Sequence, residues 1–392
     1  MLNHFRRPGF AVFFLVCLSG AQAEPFRPRD PAMVLEKLPF KPADPEAREL
    51  RQLRAELAAR PDDLSIATQL ARRYYELVSA EGDPRYIGYA QAALSPWWTA
   101  KSPAADVLVL RASLKQYRHD FDAALADLNT AVSVDPGNAQ AWSLAAAIHM
   151  VQGHYEEARS NCQALRKLTS RLIGTGCFAM LDALQGRARE AHATLQTALA
   201  QAADASPEQR LWVLTRLGEM AVRYGDVALA EKHYRDGLAL GITDGYLLAA
   251  YADLLLDEHR PAEVLTLLKG MNRSDLLLLR IVLADKAVNS TETKQRRSEM
   301  GSRFEAEQLR GDKVHQAEEA RFRLYLLDDP KGALQLAKEN WTVQKETRDA
   351  RILLEAAIAA KEPEAAAPVI AWLKQTKMED VTLQRLAKQL QG

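Results

Sequence analysis

Hydrophobic positions recur with helical spacing along most of this chain, and a longer pattern of small and large residues repeats above that spacing. When 105–138 is laid on 139–171, small residues coincide at Ala112 and Ala146 and again at Ala124 and Ala158, and aromatic residues coincide at Phe121 and Tyr155. Continuing the register adds Ala179, Gly218 and Ala252 to the first small column and Ala191, Ala230 and Val264 to the second. A third column reads Leu128, Cys162, Leu195, Tyr234 and Leu268. All three columns step by 34, 33, 39 and 34 residues, so independent positions report one repeat. The extra residues of the long step fall in the Ala/Asp/Ser/Pro/Glu stretch near 201–210, which predicts a lengthened loop.

The columns have a packing reason. Small residues on both helices of a hairpin let the two axes approach closely, and each hairpin leaves an apolar face that only its neighbour covers. The pattern predicts a degenerate unit over 62–96, with an insertion around Glu81-Gly82-Asp83-Pro84. Periodicity alone predicts further hairpins at about 274–310, 313–340 and 346–376, and a capping helix at 379–390. Pro261, Pro330 and Pro363 sit where first-turn prolines open helices. The charge-rich stretch 288–313 predicts a long, largely solvated helix.

The turn-and-helix motifs GHYEEA at 153–158, GRAREA at 186–191, GDVALA at 225–230 and HDFDAA at 119–124, with Asp135-Pro136 closing one unit, resemble the tetratricopeptide repeat family over roughly 60–275. The resemblance implies an all-α fold, a right-handed superhelical solenoid of antiparallel helix hairpins. It also implies a non-catalytic protein–protein interaction scaffold whose first helices line a concave groove. Inward positions of that groove include Ser113, Gln116, Tyr117, Ser143, Ala147, Met150, Trp212, Thr215, Arg216, Glu219, Arg223, Tyr246, Ala249 and Asp253. Among these Trp212 is either an aromatic anchor for a partner or an inter-repeat packing residue. Arg216 and Arg223 are either carboxylate-binding forks or internally paired.

Cys162 falls on the second helix of one repeat and Cys177 on the first helix of the next, at matched distance from the turn near Thr169-Ser170. That geometry favours a disulfide over two buried free thiols if the compartment is oxidising. The amino terminus points to such a compartment. A basic start, a short apolar run from Phe10 to Leu18 and a small-residue site before Glu24 read as a signal peptide over 1–23, cleaved after Ala23, which places the chain in the periplasm or outside the cell. Cys17 follows the bulky Val16, unlike a lipoprotein site. Residues 24–44 read as a proline-rich lead-in and a candidate occupant of the groove, 45–278 as the repeat array, and 279–392 as degenerate repeats with a carboxyl-terminal cap.

Composition narrows the function classes. The 51 basic and 51 acidic residues balance, which argues against nucleic acid as partner. No phosphate loop, nucleophile elbow or metal-ligand spacing occurs, so neither cofactor nor metal is expected. The histidines beyond His4 read as surface or loop residues. The Trp97-Trp98 pair reads as either an exposed patch or a plug between repeats. The partner expected is a protein or peptide, with a standing envelope complex as the alternative. An enzyme would require a polar pocket built from 280–392.

Overall fold

The computed structural model describes residues 45–311 and 314–391. The predicted signal peptide and lead-in lie outside those residues. The chain divides at Glu49/Leu50 into two compact units, and of the first only the opening turn of one helix is described. The larger unit, Leu50–Gly392, carries the repeats.

The described residues form an all-helical solenoid without strands. Helices α1 (Pro45–Ala59), α2 (Leu64–Glu81), α3 (Arg85–Ala93) and the single turn α4 (Ser95–Trp98) precede five hairpins. These are α5 (Ala105–Tyr117) with α6 (Phe121–Val134), α7 (Ala139–Gln152) with α8 (Tyr155–Arg166), α9 (Arg171–Leu184) with α10 (Ala188–Gln201), α11 (Pro207–Arg223) with α12 (Val227–Leu238), and α13 (Gly245–Asp257) with α14 (Pro261–Leu267). Then come α15 (Asp275–Ala287), α16 (Thr293–Arg310), α17 (Gln316–Leu326), α18 (Pro330–Val343) and α19 (Thr347–Ala360). A 3-10 turn at Pro363–Ala366 leads into α20 (Ala367–Thr376), and α21 (Val381–Gln391) ends the described chain.

Local chemistry explains the boundaries. Asp63, Asn138, Ser170, Asp226, Asp244, Ser274 and Asp329 each cap a helix by accepting a backbone N–H. Ser206 and Gln209 form a reciprocal capping box at the start of α11. The long step of the repeat is the loop before that box. There Arg210 donates to the carbonyls of Ala202, Ala203 and Ala205, which supplies partners to a turn that would otherwise waste them.

Every residue of the three columns is buried, from Ala112 at 0% to Ala191 at 4% exposure. The exception to uniform residue types is explained by compensation. Where the third column carries the large Tyr234, the first carries Gly218, and a Cβ built there would lie 2.3 Å from the tyrosine ring. Cys162 and Cys177 are joined as a disulfide between α8 and α9, with Cα atoms 5.6 Å apart and both residues in the core.

The carboxyl-terminal helices do not simply extend the row. The cluster of Trp341, Leu353, Leu354, Val369, Trp372 and Leu386 gives α17–α21 a core of their own. This bundle lies back across the turns that join the two helices of successive hairpins. The Lys345 N–H donates to the Val151 carbonyl at 2.7 Å, the Trp372 indole donates to the Tyr155 hydroxyl at 2.9 Å, and Glu379 accepts the Arg189 N–H at 3.0 Å. At the other end, Ser274 packs so closely on Gly82 that a Cβ there would fall 2.3 Å from its hydroxyl.

Candidate functional site

The inward ends of α5, α7, α9, α11, α13 and α15, with α17, α19 and the start of α21, line a half-open chamber of about 540 Å³. Its lining mixes apolar side chains, among them Met150, Met180, Leu184 and Met220, with charged ones from both the array and the returning helices. Arg216 and Glu219 are one turn apart on α11 and form an ion pair at 2.7 Å. The Tyr246 hydroxyl, from the first turn of α13, donates to Glu219 at 2.5 Å and accepts from Arg216 at 3.1 Å, while the guanidinium lies 4.6 Å over the Tyr246 ring. Burial, and then the Glu219 charge, push the Tyr246 hydroxyl pKa up.

Asp253 ties three helices together, accepting from Arg280 of α15 and Arg321 of α17, each at 2.6 Å. Burial alone would raise this carboxyl, but the two guanidinium groups outweigh it and hold it well below the usual range. One turn on, Asp257 takes two bonds from Arg351 of α19, at 2.6 and 2.7 Å, and Arg351 also donates to Glu355 at 2.8 Å. Arg348 pairs with Glu346 at 2.6 Å. Among the lining charges, Arg223 and Glu318, like Lys345 and Asp380, have no ion pair among the described residues. Glu318 stays ionised because Arg348, His315 and Arg280 outweigh the cost of its burial.

Of the groove positions expected from sequence, Met150, Arg216, Glu219, Arg223, Tyr246 and Asp253 line this chamber, as do Gln116, Ala147 and Ala249. Tyr117 and Trp212 do not. Tyr117 turns toward Asp275 and Glu307, where burial raises its hydroxyl pKa. Trp212 lies against the backbone of Gly176 in the preceding repeat, where a Cβ would come within 2.4 Å of its ring. Ser113 and Thr215 are buried and donate to the carbonyls of Val109 and Leu211 in their own helices. Trp97 and Trp98 are both partly buried, and the Trp98 carbonyl accepts from Arg111.

Sequence reasoning missed the chamber's second wall, since Arg280, Arg321, Arg348 and Arg351 lie beyond the recognisable repeats. It also misplaced two histidines. His192 and His233 are not surface residues but are 4% and 3% exposed, with Nε2 atoms 3.0 Å apart between α10 and α12. Burial lowers both pKa values, that of His233 to about 4, with the neighbouring His192 adding to the effect. Their 41-residue separation places them one long step and two positions apart, a signal visible only once the register is fixed.

One group with metal-ligand residue types occurs among the described residues, Asp275, Glu307 and His315. Two cations already neutralise it. Arg303 donates to Asp275 at 2.6 Å and the His315 Nδ1 meets Glu307 at 2.8 Å. Burial would lower the His315 pKa, but the Glu307 bond and the Glu318 charge raise it to about 9. The group reads as a closed ion-pair cluster.

Comparison with known proteins bears on the repeat. The tetratricopeptide repeat family model matches residues 117–168, from the end of α5 through α8. No curated protein sequence matches the chain. Similar solved structures include PilW, described as a widely conserved type IV pilus biogenesis factor, at 14% identity over 72% of this chain and 97% of that one, with a TM-score of 0.33. Yeast Tom70 is similar at 15% identity over 88% of this chain and 62% of its own, with a TM-score of 0.40. Human IFIT1 is similar at 13% identity over 88% and 86%, also at 0.40. The matched tetratricopeptide-repeat segment lies within the buried columns, which continue in one register from Ala112 to Leu268.

Proposed function

We propose that this chain is a binding scaffold without catalytic activity, and that it holds a segment of a partner protein in the chamber on the inner side of its repeats. The observation that carries the reading is convergence: Met150, Arg216, Glu219, Arg223, Tyr246 and Asp253, from three hairpins, meet in one half-open space. A volume of about 540 Å³ suits a few residues of a peptide rather than a folded domain. Apolar methionines mixed with charges of both signs suit a segment with both kinds of side chain. A place in the cell envelope is proposed with it, supported by the amino-terminal sequence pattern and by a disulfide in the core.

The polar walls supplied by 280–392 raise the enzyme reading again, but their chemistry argues against it. Arg280 and Arg321 are committed to Asp253 and Arg351 to Asp257, and burial lowers His119 to about 4. The acid that does titrate near neutrality, Asp349, has no exposed surface and is not part of the lining.

Selection of a displayed random-peptide library against the full chain tests the proposal. Arg223 and Glu318 have no internal ion pairs among the described residues to lose, so the Arg223→Ala, Glu318→Ala double variant should keep its fold. Peptides enriched on the wild type are expected to bind the variant at least about tenfold more weakly, about 1.4 kcal/mol. Equal binding to both proteins, or no enrichment on the wild type, overturns the chamber as the site.

A further inference from the structure

We infer that helices α18–α21 act as a movable cover over the array, so that access to the chamber is controlled by the chain's own carboxyl-terminal bundle. Such a cover rests on the proposed binding role for its meaning, but its test needs no partner.

The bundle touches the array along one edge. The turns inside three successive hairpins carry Gly153, Gly186 and Gly225, all with positive φ, and each is met by a different part of the bundle. The Lys345 side chain lies 3.4 Å from a Cβ built at Gly153, the Lys377 carbonyl 2.5 Å from one at Gly186, and the Val381 methyls 3.5 Å from one at Gly225. On either side, His119 of the preceding turn feels the charge of Arg348, and Asp257, before the following turn, is held by Arg351. One face of the bundle thus runs along the edge of the array where the inward helices end.

The character of this seam differs from that of either body. Within the bundle, apolar residues from α17–α21 form a continuous core. Across the seam, apolar packing is confined to a few partly buried residues, with Val343 set against the α5–α7 core and Leu184 against the bundle's core. The rest is polar: the Lys345–Val151, Trp372–Tyr155 and Glu379–Arg189 hydrogen bonds and the Arg351–Asp257 ion pair. Hydrogen bonds and partly exposed ion pairs exchange readily for water, whereas a packed core does not. Helix α17 packs into both bodies, through Ala317 and Ala320 into the bundle's core and through Phe322 and Leu326 against α15 and α16, so it is the hinge; swinging α18–α21 about it opens the chamber wall formed by 344–355 and 380–383.

The test places a cysteine at Ala250, which lines the chamber and is partly exposed to it. Reaction of the full-length Ala250→Cys protein with a bulky poly(ethylene glycol) maleimide is followed by peptide mass analysis at position 250. A cysteine replacing the exposed Val134 serves as the open reference. Labelling at 250 is expected to be slow, to quicken about five- to tenfold when Asp257→Arg sets two cations against each other, and to slow again in the Asp257→Arg, Arg351→Asp swap. The milder Arg351→Gln serves if the reversal melts the fold, as circular dichroism would show. Labelling of the wild-type background as fast as at position 134, or rates that ignore both seam variants, overturns the cover. Neither result bears on whether peptides bind the chamber.

Discussion

The array α5–α14 and the bundle α17–α21 are both made of antiparallel helices, yet they solve the burial of charge in different ways. In the first hairpin of the array, a charge taken into the interior finds its partners within that hairpin. Asp127 of α6 is held by Arg111 at 2.5 and 2.7 Å and by Lys115 at 2.7 Å, both from α5. In the bundle, Asp349 is fully buried and no cation among the described residues pairs with it directly. Its carboxylate accepts from the Glu346 N–H and from the Gln344 side chain. That hairpin supplies its counter-charges locally, while the bundle relies on a capping turn that happens to be buried.

The comparison is broken most severely in the array. Asp127→Ala would leave Arg111 and Lys115 without their shared carboxylate and should cost about 3 kcal/mol, read as a lower midpoint in urea unfolding. Gly218→Val should cost about 2 kcal/mol by forcing a side chain into the Tyr234 ring, and Tyr234→Leu should recover part of that loss. Two additive changes there would mean the columns do not pack against each other.

Titration sharpens the contrast because the two regions respond with opposite sign. The lowered histidines make the folded array bind fewer protons than the unfolded chain, so its stability is present above a pH of about 6.5 and is lost as pH falls toward about 4. Asp349, pushed up to about 7 by burial against the pull of Arg348, makes the folded bundle bind more protons than the unfolded chain. Its contribution is present below a pH of about 4 and is lost as pH rises to about 7. Each titrating group contributes a slope of at most about 1.4 kcal/mol per pH unit. Between about pH 4 and 7, His233→Gln should make the slope of stability against pH more negative and Asp349→Asn more positive. If both variants shift the slope in the same direction, the assignment of the two groups is wrong. The smallest effect belongs to Lys232→Ala. Its exposed partner Asp236 makes the pair worth less than about 0.5 kcal/mol in the same unfolding measurement.

The regular half of the fold was legible because its signals are local. Ala112, Ala124 and Leu128 are in the core for the same steric reason as their equivalents in the next four hairpins, and the cysteines lie level because the helices carrying them are antiparallel neighbours. Pro261 and Pro330 open helices as expected, and Pro363 opens a 3-10 turn instead. Part of the chamber was legible too, since Arg216, Glu219 and Asp253 face inward by helical phase alone. His192 and His233 were not, because a polar residue on a second helix looks solvated unless its neighbour one repeat away is known to be its partner.

The sequence by itself determined the helices, the repeat, the caps and the small residues that set the distance between helices, all of which depend on residues within about one repeat of one another. Only the tertiary structure decided which distant groups meet. Asp253 and Arg321 are 68 residues apart, Asp257 and Arg351 are 94, and Tyr155 and Trp372 are 217. Those meetings depend on the small rotation between each hairpin and the next, summed over many steps and altered by one long loop. No single residue encodes that sum, so the covered chamber emerges only when the whole chain has turned back on itself.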